Sequence, residues 1–231
     1  MFKNPLSSLG GRILTIVILG IVLTLAASLY VIYQRITAIV FYEMEHDMRA
    51  TLVQAESTTD SIGELAKDGA FNYAQLTGEL QTKGKENYRE TLFYKTVPVV
   101  AAWEAVRKSI EGTPTTFRIV RDNPRNKENL PKSELDRKLL NAVEKEGKPE
   151  VFVVDRESGV VAYARPVVMS QSCMACHGSP SKSPTGDGKD LLGFQMENWN
   201  PGERRGAYVL SAPVSEIDER SEEHTSELQS R

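Results

Sequence analysis

The chain begins with an uninterrupted apolar segment, because residues 13–33 contain no charged side chain. A helix of this length spans a hydrocarbon core of about 30 Å. We therefore predict a transmembrane helix over residues 12–34, with residues 1–11 in the cytoplasm and the rest exported, as the two basic residues before the segment favour. A signal peptide cleaved near residues 26–28 is the alternative, although the apolar segment is long for a signal core.

A second pattern extends the helix beyond the membrane. Apolar side chains recur at steps of three and four residues from position 34 to position 67, and no proline interrupts them. This periodicity predicts a long helical stalk whose apolar stripe packs on a partner helix or on the following domain. The stripe also offers a surface for a homodimer. Its members are Ile36, Ile39, Val40, Met44, Met48, Leu52, Ala55, Ile62 and Leu65.

The remainder of the chain changes from helical to alternating patterns. A short helix is predicted near residues 71–80, and Pro98 is a first-turn proline of a helix that ends near Glu111. Ser133 caps a further helix that runs to about Lys145. Four strands are predicted in the rest of the chain, and the middle two are joined as a hairpin. Helices followed by antiparallel strands make the predicted fold class α+β. The strands are predicted at residues 116–120, 151–155, 160–169 and 206–214.

Charge and composition exclude one class of partner. Charged residues make up 26% of the chain and the formal net charge is -3, so nothing indicates a surface for nucleic acid. The apolar fraction of 40% is that of a folded protein and not of a disordered chain.

Five consecutive residues, Cys173-Met174-Ala175-Cys176-His177, carry the candidate chemistry. Two thiols three positions apart, followed directly by a histidine, form the attachment signature of a c-type haem. Each thiol can form a thioether with one vinyl group of the same porphyrin, and the imidazole then binds the iron from the proximal side. We therefore predict one covalent haem c held by Cys173, Cys176 and His177.

Other interpretations of the two cysteines stay open. They could form a local disulfide or a thioredoxin-like redox pair, although the following Gly178, Pro180 and Pro184 favour a loop over the start of a helix. They could also hold a structural zinc together with His177, which would need a fourth ligand. No further cysteine exists in the chain, which excludes a four-cysteine metal site.

Short segments in a fixed order surround this motif: residues 96–103 (TVPVVAAW), 117–120 (FRIV), 123–126 (NPRN), 163–167 (YARPV), 173–178 (CMACHG), 193–199 (GFQMENW) and 206–207 (GA). In that order they resemble the exported single-haem c-type sensor family with a PAS-like fold. Members of that family precede signalling modules in membrane-bound chemoreceptors and histidine kinases. The resemblance covers residues 45–217.

This resemblance implies the two cysteines as thioether attachments and the histidine as proximal ligand. It also places Arg118, Asn123, Arg125 and Arg165 loosely near the pocket. Arg125 could bind a haem propionate through a bidentate contact. The simpler interpretation, which we expect, is a turn arginine in water.

The sixth iron position has several candidates. Some members of the family use a cysteine there, and this chain has none to spare. His46 on the stalk is a possible second axial ligand, although a lone histidine on a helix is more often a surface residue. Water, an empty position or a methionine are the other options, and we expect no strong protein ligand in at least one oxidation state. The methionines considered are Met44, Met48, Met169, Met174 and Met196.

Together these features predict a membrane-anchored periplasmic sensor domain over residues 35–219, on the bacterial inner membrane. It would be the input part of a truncated signal-transduction protein and report redox state or a small gaseous ligand. A membrane-anchored monohaem cytochrome for electron transfer is the alternative. No distal acid–base pair indicates catalysis, so we expect no enzyme here; the missing output module could be a histidine kinase.

The last segment, residues 220–231, resembles the translated read-through of a sequencing adapter and contains one large apolar residue. We expect it to be an artefact, with the natural chain truncated near Glu219. His224 is therefore not considered as a ligand.

Overall fold

The computed structural model describes residues 9 to 229. The chain divides into two units, one made of residues up to 44 together with residues from 217 onward, and the other of residues 45 to 216. The predicted membrane segment and stalk form a single helix, α1, Leu9–Lys67, that runs through both sequence ranges.

The first unit contains the apolar part of α1. Among the described residues, α1 is the one helix long and apolar enough to cross a membrane. The unit also contains most of helix α7, Ser215–Gln229. The sequence predicts no element there and extends the last strand to Val214, whereas the structure ends that strand at Pro213 and begins a helix two residues later. The expected artefact at residues 220–231 stays a prediction.

The second unit begins with helices, each started by a local signal. Helices α2, Tyr73–Lys83, and α3, Leu92–Lys95, are capped by Asn72 and Thr91, whose side chains accept backbone hydrogen bonds. Helix α4, Pro98–Ser109, has its proline in the first turn, as predicted.

The sheet comprises β1, Thr116–Val120, β2, Val151–Asp155, β3, Val160–Val168, and β4, Arg204–Pro213. Its order is β1-β4-β3-β2 with every neighbouring pair antiparallel, which confirms the predicted α+β class and the β2–β3 hairpin.

One face of the sheet packs on helix α5, Glu134–Leu140, which continues as a π-helical turn, Asn141–Lys145. Ser133 caps this helix by accepting a hydrogen bond from the Asp136 amide, as predicted. The buried cluster consists of Val120, Leu139, Leu140, Val143, Ala162, Ala164, Ala207 and Val209.

Side chains alternate along strands, so Arg165 and Tyr208 lie on the opposite face. There Arg165 donates two hydrogen bonds to Glu56 of α1, at 2.9 and 3.0 Å, and a third to Glu150 at 2.7 Å. The hydroxyl of Tyr163 donates to the same Glu150 carboxylate at 2.7 Å. This ion-pair network fastens α1 to the sheet.

We expect Glu56→Gln to lower the free energy of unfolding by about 1–2 kcal/mol, because a charge-assisted hydrogen bond to a half-buried arginine is lost. Thermal unfolding of the full chain in detergent measures this. The matched control is Glu64→Gln, which changes an exposed carboxylate on the same helix. Equal effects of the two variants would contradict a specific role for the Arg165 pair.

Candidate cofactor site

The Cys-x-x-Cys-His segment follows β3 and forms two short helical turns, not the predicted loop. A 3-10 turn, Gln171–Cys173, leads into helix α6, Met174–His177. Gly178 ends the turn, and a Cβ atom there would lie 2.5 Å from the carbonyl oxygen of Met174. The motif therefore requires glycine directly after the histidine.

Cys173, Cys176 and His177 all line one pocket. The pocket encloses an empty volume of about 1240 Å³, which includes open solvent. Much of its wall is apolar and comes from the start of α4, while α1 contributes Thr59. The α4 residues in the wall are Pro98, Val99, Val100 and Trp103.

The imidazole of His177 is oriented by a carboxylate. Its Nδ1 lies 2.9 Å from Oε2 of Glu197. Burial by itself would raise the pKa of Glu197, but hydrogen bonds from His177 and Arg125, together with their charges, lower it below its usual value. Because an ionised carboxylate only accepts hydrogen bonds, the proton belongs on Nδ1. The lone pair of Nε2 is then available to a metal.

Arg125 holds this carboxylate in place. Its Nε and Nη2 donate to the two oxygens of Glu197 at 2.8 and 2.7 Å, and Nη1 donates to Asp190 at 2.6 Å. Nη2 also reaches the carbonyl oxygens of Cys176 and Gln195, at 2.9 and 3.1 Å. The expectation of an arginine in water is wrong, because the Arg125 side chain is only 20% exposed.

The indole of Trp199 gives the imidazole a flat support. The His177 and Trp199 rings stack with centroids 4.6 Å apart and planes 11° apart. The backbone amide of Trp199 donates to the carbonyl oxygen of His177 at 2.9 Å. Stacking on Trp199 and the hydrogen bond to Glu197 therefore fix the ring from one segment of the chain, residues 193–199.

The side chains of two polar residues in the pocket wall have no hydrogen-bond partner among the described residues. Within the described residues, no group accepts a hydrogen bond from the Arg121 guanidinium, which lies 4.1 Å from the Trp199 ring centroid. Burial lowers the pKa of this arginine. The hydroxyl of Tyr208 likewise makes no hydrogen bond to any residue of the described chain. An apolar ligand with anionic groups, such as a haem with its propionates, fits this wall.

The other interpretations of the two cysteines find no support in the geometry. Both are free thiols. Burial, with a smaller contribution from Asp190, raises the pKa of the Cys176 thiol to about 11, whereas a thioredoxin-like nucleophile needs a lowered pKa. Among residues 9 to 229, no group of three or more His, Cys, Asp or Glu side chains could hold a metal ion.

His46, the candidate sixth ligand, does not line the pocket. It is exposed on α1, thirteen residues before Thr59, or about 20 Å along the helix. The His46 hypothesis thus receives no support from the structure. Of the methionine candidates, Met169 lies in the pocket wall.

Of the four residues that the resemblance places near the pocket, Arg125 lines it. Arg118 instead pairs with Asp136, and Arg165 pairs with Glu56. Sequence reasoning missed the roles of Glu197, Asp190 and Trp199. The segment at residues 193–199 stood out by resemblance, yet no periodicity or spacing connects it to the cysteines.

Cys176 in the chain without cofactor should react slowly with iodoacetamide. Because the thiolate is the nucleophile, a pKa near 11 in place of 9.0 reduces the rate about 100-fold at pH 8. The rate should rise with pH up to about 11. Alkylation of a Cys173→Ala variant, followed by mass spectrometry, isolates Cys176, and the same variant in urea is the control. Equal rates in the two conditions would contradict the buried thiol.

Comparison with known proteins identifies a family model and a solved structure that are similar to this chain. The model of the Tll0287-like family matches residues 34–213. The crystal structure of the cyanobacterial heme-protein Tll0287 superposes with a TM-score of 0.51 at 17% identity, covering 74% of this chain and 95% of that chain. A search of curated proteins finds no match. Because the family model spans well over half of the sequence, this chain belongs to the Tll0287-like family.

Proposed function

We propose that this chain binds one haem c covalently and serves as a periplasmic signal-input domain anchored by α1. The observation that carries the proposal is the convergence of Cys173, Cys176 and His177 on one largely apolar pocket. Membership in a family with a heme-protein relative supports it.

Each pocket residue then has a defined task. The thiols of Cys173 and Cys176 would each add to one vinyl group, with a C–S bond formed at one vinyl carbon and the thiol hydrogen transferred to the other. His177 would hold the iron through Nε2, and Arg121 would pair with a propionate. A bound haem supplies an iron that gains or loses one electron and binds small diatomic ligands.

Contacts of α1 favour signalling over simple electron transfer. The same stretch of helix supplies Thr59 to the pocket wall and Glu56 to the Arg165 pair on the sheet. A change of iron charge or ligation alters packing in the pocket, and α1 is a direct neighbour of that change. An electron-transfer cytochrome needs no such coupling to its anchor, so it is the second candidate.

Covalent attachment is tested by expressing the chain with c-type maturation machinery and denaturing it. We expect haem to stay on the polypeptide, and to be absent from it in the Cys173→Ala, Cys176→Ala double variant. Haem staining of a denaturing gel and the mass of the chain measure this. Covalent haem in the double variant, or stoichiometric zinc without haem in the wild type, would refute the assignment.

Signalling is tested by hydrogen exchange of the haem-loaded chain. We expect the amides of α1 around Glu56 and Thr59 to change protection when the ferrous protein binds carbon monoxide, because these residues neighbour the pocket. The amides of α5, on the other face of the sheet, are the internal control. Unchanged exchange throughout α1, with carbon monoxide bound, would favour the electron-transfer function.

A further inference from the structure

The hydrogen bond between His177 and Glu197 has a consequence for the iron. A histidine ligand usually donates its second ring nitrogen to a carboxylate, a carbonyl or water, and the partner sets how basic the ligand is. Here the partner is a full carboxylate, with the two atoms 2.9 Å apart.

This carboxylate is held rigidly. Arg125 binds both of its oxygens, and Asp190, which is completely buried, takes a further donor of the same guanidinium. The formal charge of Glu197, Asp190 and Arg125 together is negative by one. The arginine therefore fixes the carboxylate without cancelling the charge of the whole group.

We infer that Glu197 is a positioning residue that makes His177 an electron-rich iron ligand, and so lowers the reduction potential of the haem. The inference rests on the proposed haem binding. The physical reason is that ferric iron carries one positive charge more than ferrous iron and gains more from an anionic neighbour. The couple transfers one electron and no atom. The site thus favours the ferric state and responds to strong reductants.

The test is a redox titration of the haem-loaded full chain and of Glu197→Gln. Glutamine keeps the shape and can still accept the hydrogen bond through a neutral oxygen. At a fixed solution potential, we expect the ratio of ferrous to ferric protein to increase at least tenfold in the variant, or about 59 mV for a one-electron couple.

Asp190→Asn is the matched control, because it removes one charge from the same cluster without touching His177. A clearly smaller shift in the control supports a ligand effect. Equal shifts in both variants would overturn the inference, because the overall charge of the cluster would then explain the potential. No shift in Glu197→Gln would overturn it as well, because the carboxylate would then have no effect on the iron.

A spectroscopic measurement on the wild type makes the inference testable even where a variant does not fold. Resonance Raman spectra of the ferrous protein, after photolysis of bound carbon monoxide, contain the iron–imidazole stretching band. We expect it at the high frequency of a strongly hydrogen-bonded imidazole, and lower in Glu197→Gln. A wild-type band at the frequency of a weakly bonded imidazole would contradict the inference. Absence of haem from every form would instead refute the proposed function.

Discussion

The candidate site depends on the hydrogen bonds of one guanidinium group. Arg125 joins the segment after β1, the turn that carries the cysteines and the segment before β4, through Cys176, Asp190 and Glu197. Its donors supply charge-assisted hydrogen bonds to both carboxylates, of which Asp190 is completely buried, and a buried charge that lacks such bonds is costly. The rigid bidentate geometry of arginine makes one residue sufficient for this.

The same interaction gives the histidine its chemistry. Because Arg125 fixes Glu197, the carboxylate can fix the tautomer of His177, and Trp199 fixes the plane of the ring. Arg121 also lies against the Trp199 ring. Sequence reasoning proposed Arg125 for a propionate, and the structure shows hydrogen bonds from its guanidinium to protein groups. No described residue accepts a hydrogen bond from the guanidinium of Arg121, four residues earlier.

Local signals in the sequence predicted much of the fold. The strand at residues 116–120, the first-turn position of Pro98 and the cap at Ser133 are all confirmed, because each depends on residues close in sequence. Helix α1 was predicted from the apolar segment at residues 13–33 and from the apolar stripe of the stalk.

The site was less predictable, for a physical reason. Arg125 and its carboxylate partners are separated by 65 and 72 residues, and ion pairs across such distances leave no periodic pattern. His46 is a ligand-type residue on the helix that contributes Thr59 to the pocket wall, but it lies about 20 Å from Thr59 along that helix. In the Cys-x-x-Cys-His motif, by contrast, the residues that would bind the cofactor are close together in sequence, so the sequence alone reveals them.

The most direct measurement of the central claim is an experimental structure of the chain after haem maturation. We predict thioethers at Cys173 and Cys176, iron on Nε2 of His177, and Nδ1 still within about 3 Å of Glu197. We also predict a propionate at Arg121. Iron bound by another side chain in place of His177, or a His177 ring turned away from Glu197, would contradict these predictions.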